Sequence, residues 1–112
     1  TCATVCVADR DEIIAAAGKT HKNYIGKALS KELENIMDKR KSALYSKKDD
    51  TLIPVVKDDK VDCEAQAIAV IVHDGDSAGA VILCVYDEKA DKSEIAEKLA
   101  GAAAEFLADQ LG

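Results

Sequence analysis

The sequence predicts an α/β protein of the α+β kind, an antiparallel five-stranded sheet with helices on both faces. Three observations lead there. Short apolar runs at 3–8, 12–17 and 52–56, and two more within 64–88 on either side of Asp74-Gly75, have strand composition, and they are interrupted by turn formers. Two longer stretches, one central and one terminal, carry helical rather than alternating patterns. The last two strands flank Asp74-Gly75 and are apolar on both sides, so both sheet faces need a cover.

Ala3 to Ala8 alternates small and branched apolar residues and reads as the first strand. Asp9-Arg10-Asp11 breaks the pattern, and Glu12 to Ala17 resumes it up to Gly18, which makes a hairpin of the first two strands. Lys19 to Asn23 is polar connection, after which Tyr24, Ile25, Ala28 and Leu29 lead into a helix.

Ser30 is the expected N-cap of that helix, with Glu32 and Glu34 where negative charge complements the helix dipole. Leu33, Ile36 and Met37 form its apolar stripe, and Lys39, Arg40 and Lys41 sit at the end that favours cations. Ser42 to Asp50 reads as a mobile polar linker. Leu52 to Val56 contains Pro54, which has no N–H to donate to a ladder, and is expected as an edge strand or short extended segment. Lys57 to Asp62 is a charged turn.

Glu64 to Glu88 is the strongest fold signal, because Asp74-Gly75 suits a tight primed turn with positive φ at both central residues. A loop of even length pairs even positions of one strand with odd positions of the other. One predicted face therefore carries Ile68, Val70, Val72, Gly79, Val81, Leu83 and Val85. The other carries Ala65, Ala67, Ala69, Ile71, Ala78, Ala80, Ile82, Cys84 and Tyr86. The bulky face is expected under a helix, and the alanine-lined face under something that approaches closely or beside a cavity.

The closing stretch, about Ser93 to Leu111, opens with a capping box at Asp91 to Glu94. On a helical wheel Glu94, Glu97, Lys98, Gly101, Glu105 and Asp109 occupy an arc of roughly 120°. The rest is apolar: Ile95, Leu99, Ala102 and Phe106 on one edge, and Ala96, Ala100, Ala103, Ala104, Leu107 and Leu111 on the other. An apolar arc that wide is more than one sheet face covers, and its alanines admit a second helix. A homodimer built through Ala96, Ala100, Ala103, Leu107 and Leu111 is expected.

Composition narrows the function. At 112 residues the chain is one domain, and a hydrophobic fraction of 48% argues against disorder. A net charge of -6 and a pI near 4.8 disfavour direct binding to nucleic acid or anionic membrane. No apolar run approaches the roughly 18 residues of a membrane span. Beginning at Thr1 inside a strand-like run, the chain reads as a fragment of something longer. Of the four cysteines, Cys2 and Cys6 would lie roughly 13 Å apart on one strand face, too far for a disulfide. With no paired CxxC, zinc is not expected. Cys2, Cys6 and Cys84 read as small buried hydrophobes in a reducing, cytoplasmic compartment, and Cys63 as a half-exposed thiol at a strand entrance. His21 and His73 have no nucleophile or carboxylate at a dyad spacing. The acidic clusters do not fit a calcium loop, and the glycines are scattered singly rather than cradling a phosphate. Neither metal, cofactor nor enzymatic activity is expected.

The order strand, strand, helix, short strand, long hairpin, helix suggests a GAF or PAS-like sensor domain. DRDEIIAAAG (Asp9 to Gly18), followed by HKNYIGKALSKELENIMDKRKS (His21 to Ser42), closely resembles the C-terminal GAF domain of the stage V sporulation protein T family of AbrB-type transcription regulators. DGDSAGAVILCVYDE (Asp74 to Glu88) matches the family's penultimate hairpin, and AAAEFLADQLG (Ala102 to Gly112) its closing helix. Ser42 to Glu64 resembles it least.

The resemblance implies that residues 1–112 are a GAF-like sensor domain of a sporulation regulator, without the preceding helix and without the swapped-hairpin domain that binds DNA in that family. A small molecule is then expected between the sheet and the segment Tyr24 to Leu33, contacting Tyr24, Ile25, Leu29, Leu33, Ala67, Ala69, Ile82 and Cys84. Binding would shift the terminal helices and the attached DNA-binding domains. One alternative is a structural dimerisation module with a filled pocket. Another is an enzyme, since one GAF lineage reduces free methionine sulfoxide with cysteines, for which Cys63 and Cys84 are the candidates here.

Overall fold

In the computed structural model of the chain, which describes residues 3–18, 24–87, 93, 95–97 and 99–101, the Asp74-Gly75 turn forms as its chemistry dictates. Both residues take positive φ, 52° and 84°, and join β4 (Ala65–His73) to β5 (Asp76–Val85). With β1 (Ala3–Ala8), β2 (Ile13–Gly18) and β3 (Ala43–Ser46), these strands make one antiparallel sheet in the order β2-β1-β5-β4-β3. The expected five-stranded α+β sheet is present, and it is consistent with a GAF-like fold.

The register corrects the expected face assignment. Next to the turn, His73 pairs with Asp76 and Val72 with Ser77, as an even loop requires. Ile71 then pairs with Gly79, so Ala78 is an extra residue, a β-bulge. From there to the strand ends the parity is reversed, with Val70 opposite Ala80, Ala69 opposite Val81, Ile68 opposite Ile82 and Ala67 opposite Leu83. One inserted residue thus sends Ala80, Ile82 and Cys84 to the face of Ile68 and Val70, and sends Val81, Leu83 and Val85 to the face of Ala65, Ala67 and Ala69. Neither face is the alanine-lined one. On the face of Ala65, Ala67 and Ala69 each alanine sits opposite a larger β5 residue, whereas on the other face Ile68 meets Ile82 directly. Gly79, beside the bulge, is where β1 comes closest: a Cβ there would collide with the carbonyl oxygen of Ala8.

The first hairpin is held by Asp9, whose Oδ1 accepts from the N–H groups of Asp11 (2.7 Å) and Glu12 (2.8 Å). Those two bonds to the charged form hold its carboxyl below the usual range. A second bulge, between Val7 and Ala8, leaves Ile14 as the extra residue on β2 and turns it to solvent.

α1 (Lys31–Lys39) is the expected helix, and Leu33, Ile36 and Met37 are its buried residues. Ser30 caps its start with extended backbone, and Arg40 closes it in the left-handed region. The third strand lies elsewhere than expected. Ala43–Ser46, read from sequence as part of a mobile linker, pairs with β4 from Ala43↔Ile68 to Ser46↔Ala65 and forms one sheet edge. Leu52 to Val56 is extended but outside the sheet, as Pro54 allows, and its one ladder-like contact is a bridge from Val56 to Leu29.

Both faces are covered by helical residues. Leu33, Ile36 and Met37 pack with Cys6, Ile13, Ile68 and Ile82 on one side. Ile95 and Leu99, within helical backbone at 93, 95–97 and 99–101, pack with Val7, Ala67, Val81, Leu83 and Val85 on the other. The start of the closing helix therefore covers a face lined jointly by β4 alanines and β5 valines and leucine.

Candidate functional site

Two segments outside the sheet roof the Ile82 and Cys84 face, and backbone bonds zip them together. The first, 24–30, is tied to the start of β2: Gly26 N donates to Ile13 O (2.8 Å), Ile13 N to Lys27 O (3.1 Å) and Leu29 N to Asp11 O (3.2 Å). The second, 54–57, lies along the first, with Ser30 N donating to Val55 O and Lys57 N to Ala28 O, both 3.1 Å. Their apolar side chains, Tyr24, Leu29, Val55 and Val56, turn inward onto Cys6, Ile68, Ile82 and Cys84.

Three polar side chains fasten this roof. Ser30 accepts from Leu33 N (3.1 Å) as the helix cap while its hydroxyl donates to Pro54 O (2.6 Å). Buried Gln66, on β4, donates from Nε2 to Ile53 O (2.6 Å) and accepts at Oε1 from Ile53 N (2.9 Å). A side-chain amide has the donor and acceptor of a peptide group, so Gln66 stands in for a neighbouring strand and satisfies backbone that Pro54 keeps out of the ladder. Tyr24 donates from its hydroxyl to Asp59 Oδ2 at 3.0 Å.

The electrostatics of the interior oppose ionisation. Burial, and next the negative charge of Asp59, raises the Tyr24 hydroxyl far above the usual tyrosine range. Burial, reinforced by Asp59, leaves the Cys6 thiol pushed up to about 12. The Cys84 thiol is also raised, first by its hydrogen bond with Cys63 and then by burial, with Gln66 acting in the opposite direction. At neutral pH all three are protonated, so these groups offer weak donors and apolar surface rather than a fixed charge. Among the described residues no group of three or more His, Cys, Asp or Glu is placed to hold a metal ion.

The expected ligand contacts divide into three sets. Tyr24, Leu29, Leu33, Ile82 and Cys84 do come together, all buried in one cluster. Ile25 does not join them: it is 54% exposed, because the segment's inward positions on either side of it are Tyr24 and Leu29. Ala67 and Ala69 lie on the opposite sheet face with Ile95 and Leu99, a consequence of the bulge at Ala78. Cys63, expected to be half-exposed, is 3% exposed, since a bend at Glu64 turns it under the roof beside Cys84. Sequence reasoning missed Val55, Val56, Asp59 and Gln66. The one local signal was Gln66, a polar residue in an otherwise apolar strand.

On the other face, Ala96 and Ala100 are exposed on the helix and line an apolar groove of about 520 Å³ with Ala43, Leu44, Ala69 and Leu99. The other residues expected at a dimer contact, Ala103, Leu107 and Leu111, lie outside the described residues, as do Cys2 and His21.

Comparison with known families completes the description. Residues 1–112 match the family described as "Stage V sporulation protein T C-terminal, transcription factor". The chain belongs to this family. It is 35% identical over 108 residues to stage V sporulation protein T of Bacillus subtilis (strain 168), across 96% of this chain and 58% of that protein. The chain thus spans little more than half the length of this relative. Membership in a sporulation transcription factor family points away from catalysis. No described helix is long and apolar enough to cross a membrane.

Proposed function

We propose that residues 1–112 form the GAF-like sensor domain of a cytoplasmic sporulation regulator, binding a small molecule beneath the roof and passing the change to attached domains. The observation that carries this reading is the roof itself. Segments 24–30 and 54–57 close over Leu33, Ile82 and Cys84 without belonging to the sheet, held by Ser30, Gln66 and the Tyr24–Asp59 bond. A cover that lies outside the ladder, tied by its own backbone bonds and three polar side chains, opens at lower free energy than a central strand does. The occupant that suits this interior is largely apolar with one or two polar atoms, since Tyr24 and the thiols offer only weak polar contacts. The domain acts without a cofactor and is not an enzyme; contact with DNA belongs to another domain of the longer protein, in keeping with the net charge of -6 here.

The test is a thermal-shift screen of amino acids, nucleotides, organic acids and short lipids, with each hit mapped by NMR. A true ligand raises the melting temperature and perturbs Tyr24, Leu29, Leu33, Ile82 and Cys84 while leaving Ala67 and Ala69 unmoved. Absence of any stabilising compound, together with no retained small molecule in native mass spectrometry of the cell-purified chain, overturns the reading.

The second reading, self-association, is favoured by a separate observation. The groove at Leu44, Ala69, Ala96 and Ala100 is apolar and edged by exposed alanines, which admit a close-packed helix. We propose that a homodimer forms there, and that sensing and pairing occupy opposite faces of one sheet.

A further inference from the structure

Cys63 and Cys84 come from different elements, yet their thiols are hydrogen-bonded to each other beneath the roof. The backbone explains why: Gln66 pairs with Cys84, Glu64 N donates to Val85 O (2.8 Å), and the bend at Glu64 rotates Cys63 onto the face that Cys84 occupies. Neither side chain faces bulk solvent, but the two positions differ in access. Cys63 also lines a cleft of about 250 Å³ formed with Lys47, Asp50, Leu52, Val61 and Asp62, and Cys84 sits behind it. An oxidant small enough for that cleft reaches the Cys63 sulfur first, with its hydrogen-bond partner Cys84 beside it.

We propose that Cys63 and Cys84 form an oxidation site that closes to an intramolecular disulfide when a hydroperoxide enters this cleft. The Cys63 sulfur attacks the terminal peroxide oxygen while its proton passes to the departing one; the O–O bond breaks, and that oxygen leaves as an alcohol, or as water from hydrogen peroxide. The resulting Cys63 sulfenic acid is attacked by the Cys84 sulfur. The S–O bond breaks and its oxygen departs as water with the Cys84 proton. Two thiols and one hydroperoxide become one disulfide, one alcohol and one water, with two electrons passing from sulfur to the peroxide. Cys84 takes the second role because it does not line the cleft and lies beside Cys63, giving up its proton to the departing water as the S–S bond forms. Cys6, on β1, lies on the same face but away from the cleft, so it is spared. The new bond ties the segment ahead of β4 to β5 by a covalent link beneath the roof.

The experiment treats the reduced, folded chain with hydrogen peroxide or tert-butyl hydroperoxide, then alkylates it in denaturant and maps the peptides. The expected result is loss of two of the four thiols, a linked peptide joining Cys63 to Cys84, alkylated Cys2 and Cys6, and a higher melting temperature. Cys84→Ser should leave a sulfenic acid on Cys63 that dimedone traps, and Cys6→Ser should leave the cross-link intact. The peptide map of the unsubstituted chain decides the matter even where a variant fails to fold. A cross-link through Cys6 or between chains overturns the proposal, as does retention of all thiols in the folded chain when the urea-unfolded chain is oxidised.

Discussion

Gln66 holds both backbone groups of Ile53, donating to its carbonyl at 2.6 Å and accepting from its N–H at 2.9 Å, from a side chain that is almost wholly buried. Replacing it by Met keeps the volume and removes both bonds. The Ile53 peptide groups then lose their only protein partners in this interaction, at a cost of about 2–4 kcal/mol. Urea denaturation should report that loss. Amide exchange at Ile53 should accelerate by more than the global change, because the roof near it opens locally.

Tyr24→Phe removes the bond to Asp59 and should cost about 1–2 kcal/mol at neutral pH. The pH dependence has a definite sign. The folded-state pKa of Tyr24 is raised above the unfolded value of about 10, so the folded chain keeps a proton that the unfolded chain releases. Its contribution is complete below about pH 10 and declines as pH rises toward the folded value. The stability gap between the native chain and the Phe variant should therefore narrow above about pH 10 in denaturant titrations. Cys6 acts with the same sign between its ordinary 9.0 and about 12, and Cys6→Ala should remove that part of the alkaline decline.

Gly79→Ala drives a methyl group into the Ala8 carbonyl where β1 and β5 approach, and should destabilise by about 1–3 kcal/mol. Deleting Ala78 tests the bulge more severely. Without the extra residue, Ile82 and Cys84 would exchange faces with Val81, Leu83 and Val85, and no repacking of single side chains restores both cores. The expected outcome is a chain that fails to show a cooperative thermal transition by circular dichroism.

Leu44→Glu combined with Ala100→Glu places charge in the apolar groove on exposed positions, 42% exposed in the case of Leu44. If the groove is the contact between copies, light scattering should show a monomer where the unsubstituted chain is a dimer. The melting temperature at low concentration should hold to within a few degrees, since neither residue is buried in the core. A variant that still pairs removes the groove from consideration.

How much of this was legible depended on how local the determinant was. Ser30, Leu33, Ile36 and Met37 specify a helix through neighbours three and four residues away, and the structure follows them closely. Asp74-Gly75 likewise fixed its turn, yet the faces expected from it failed four residues later. The bulge at Ala78 lies where β5 meets β1 at Gly79; a lone glycine in the run SAGAV is a signal of a bulge or close approach, but it does not say which residue is the extra one. Ala43 to Ser46 is too short and too mixed to declare itself a strand; only the β4 edge makes it one. The site fared the same way. Tyr24, Leu29 and Leu33 were recoverable because they follow one another along a segment, whereas Ala67 and Ala69 were misplaced with the register and Ile25 by local alternation. Asp59 and Cys63 enter through a bend and a loop whose shapes are set by the sheet they lie upon.

The hydroxyl of Ser30 closes the first turn of α1 with its lone pair and anchors Pro54 with its proton, so one oxygen atom belongs to two parts of the roof. Lifting either part breaks one of the two bonds made at this oxygen. That single hydroxyl therefore couples the start of α1 to a segment 24 positions further along the chain, and removing it should loosen both at once.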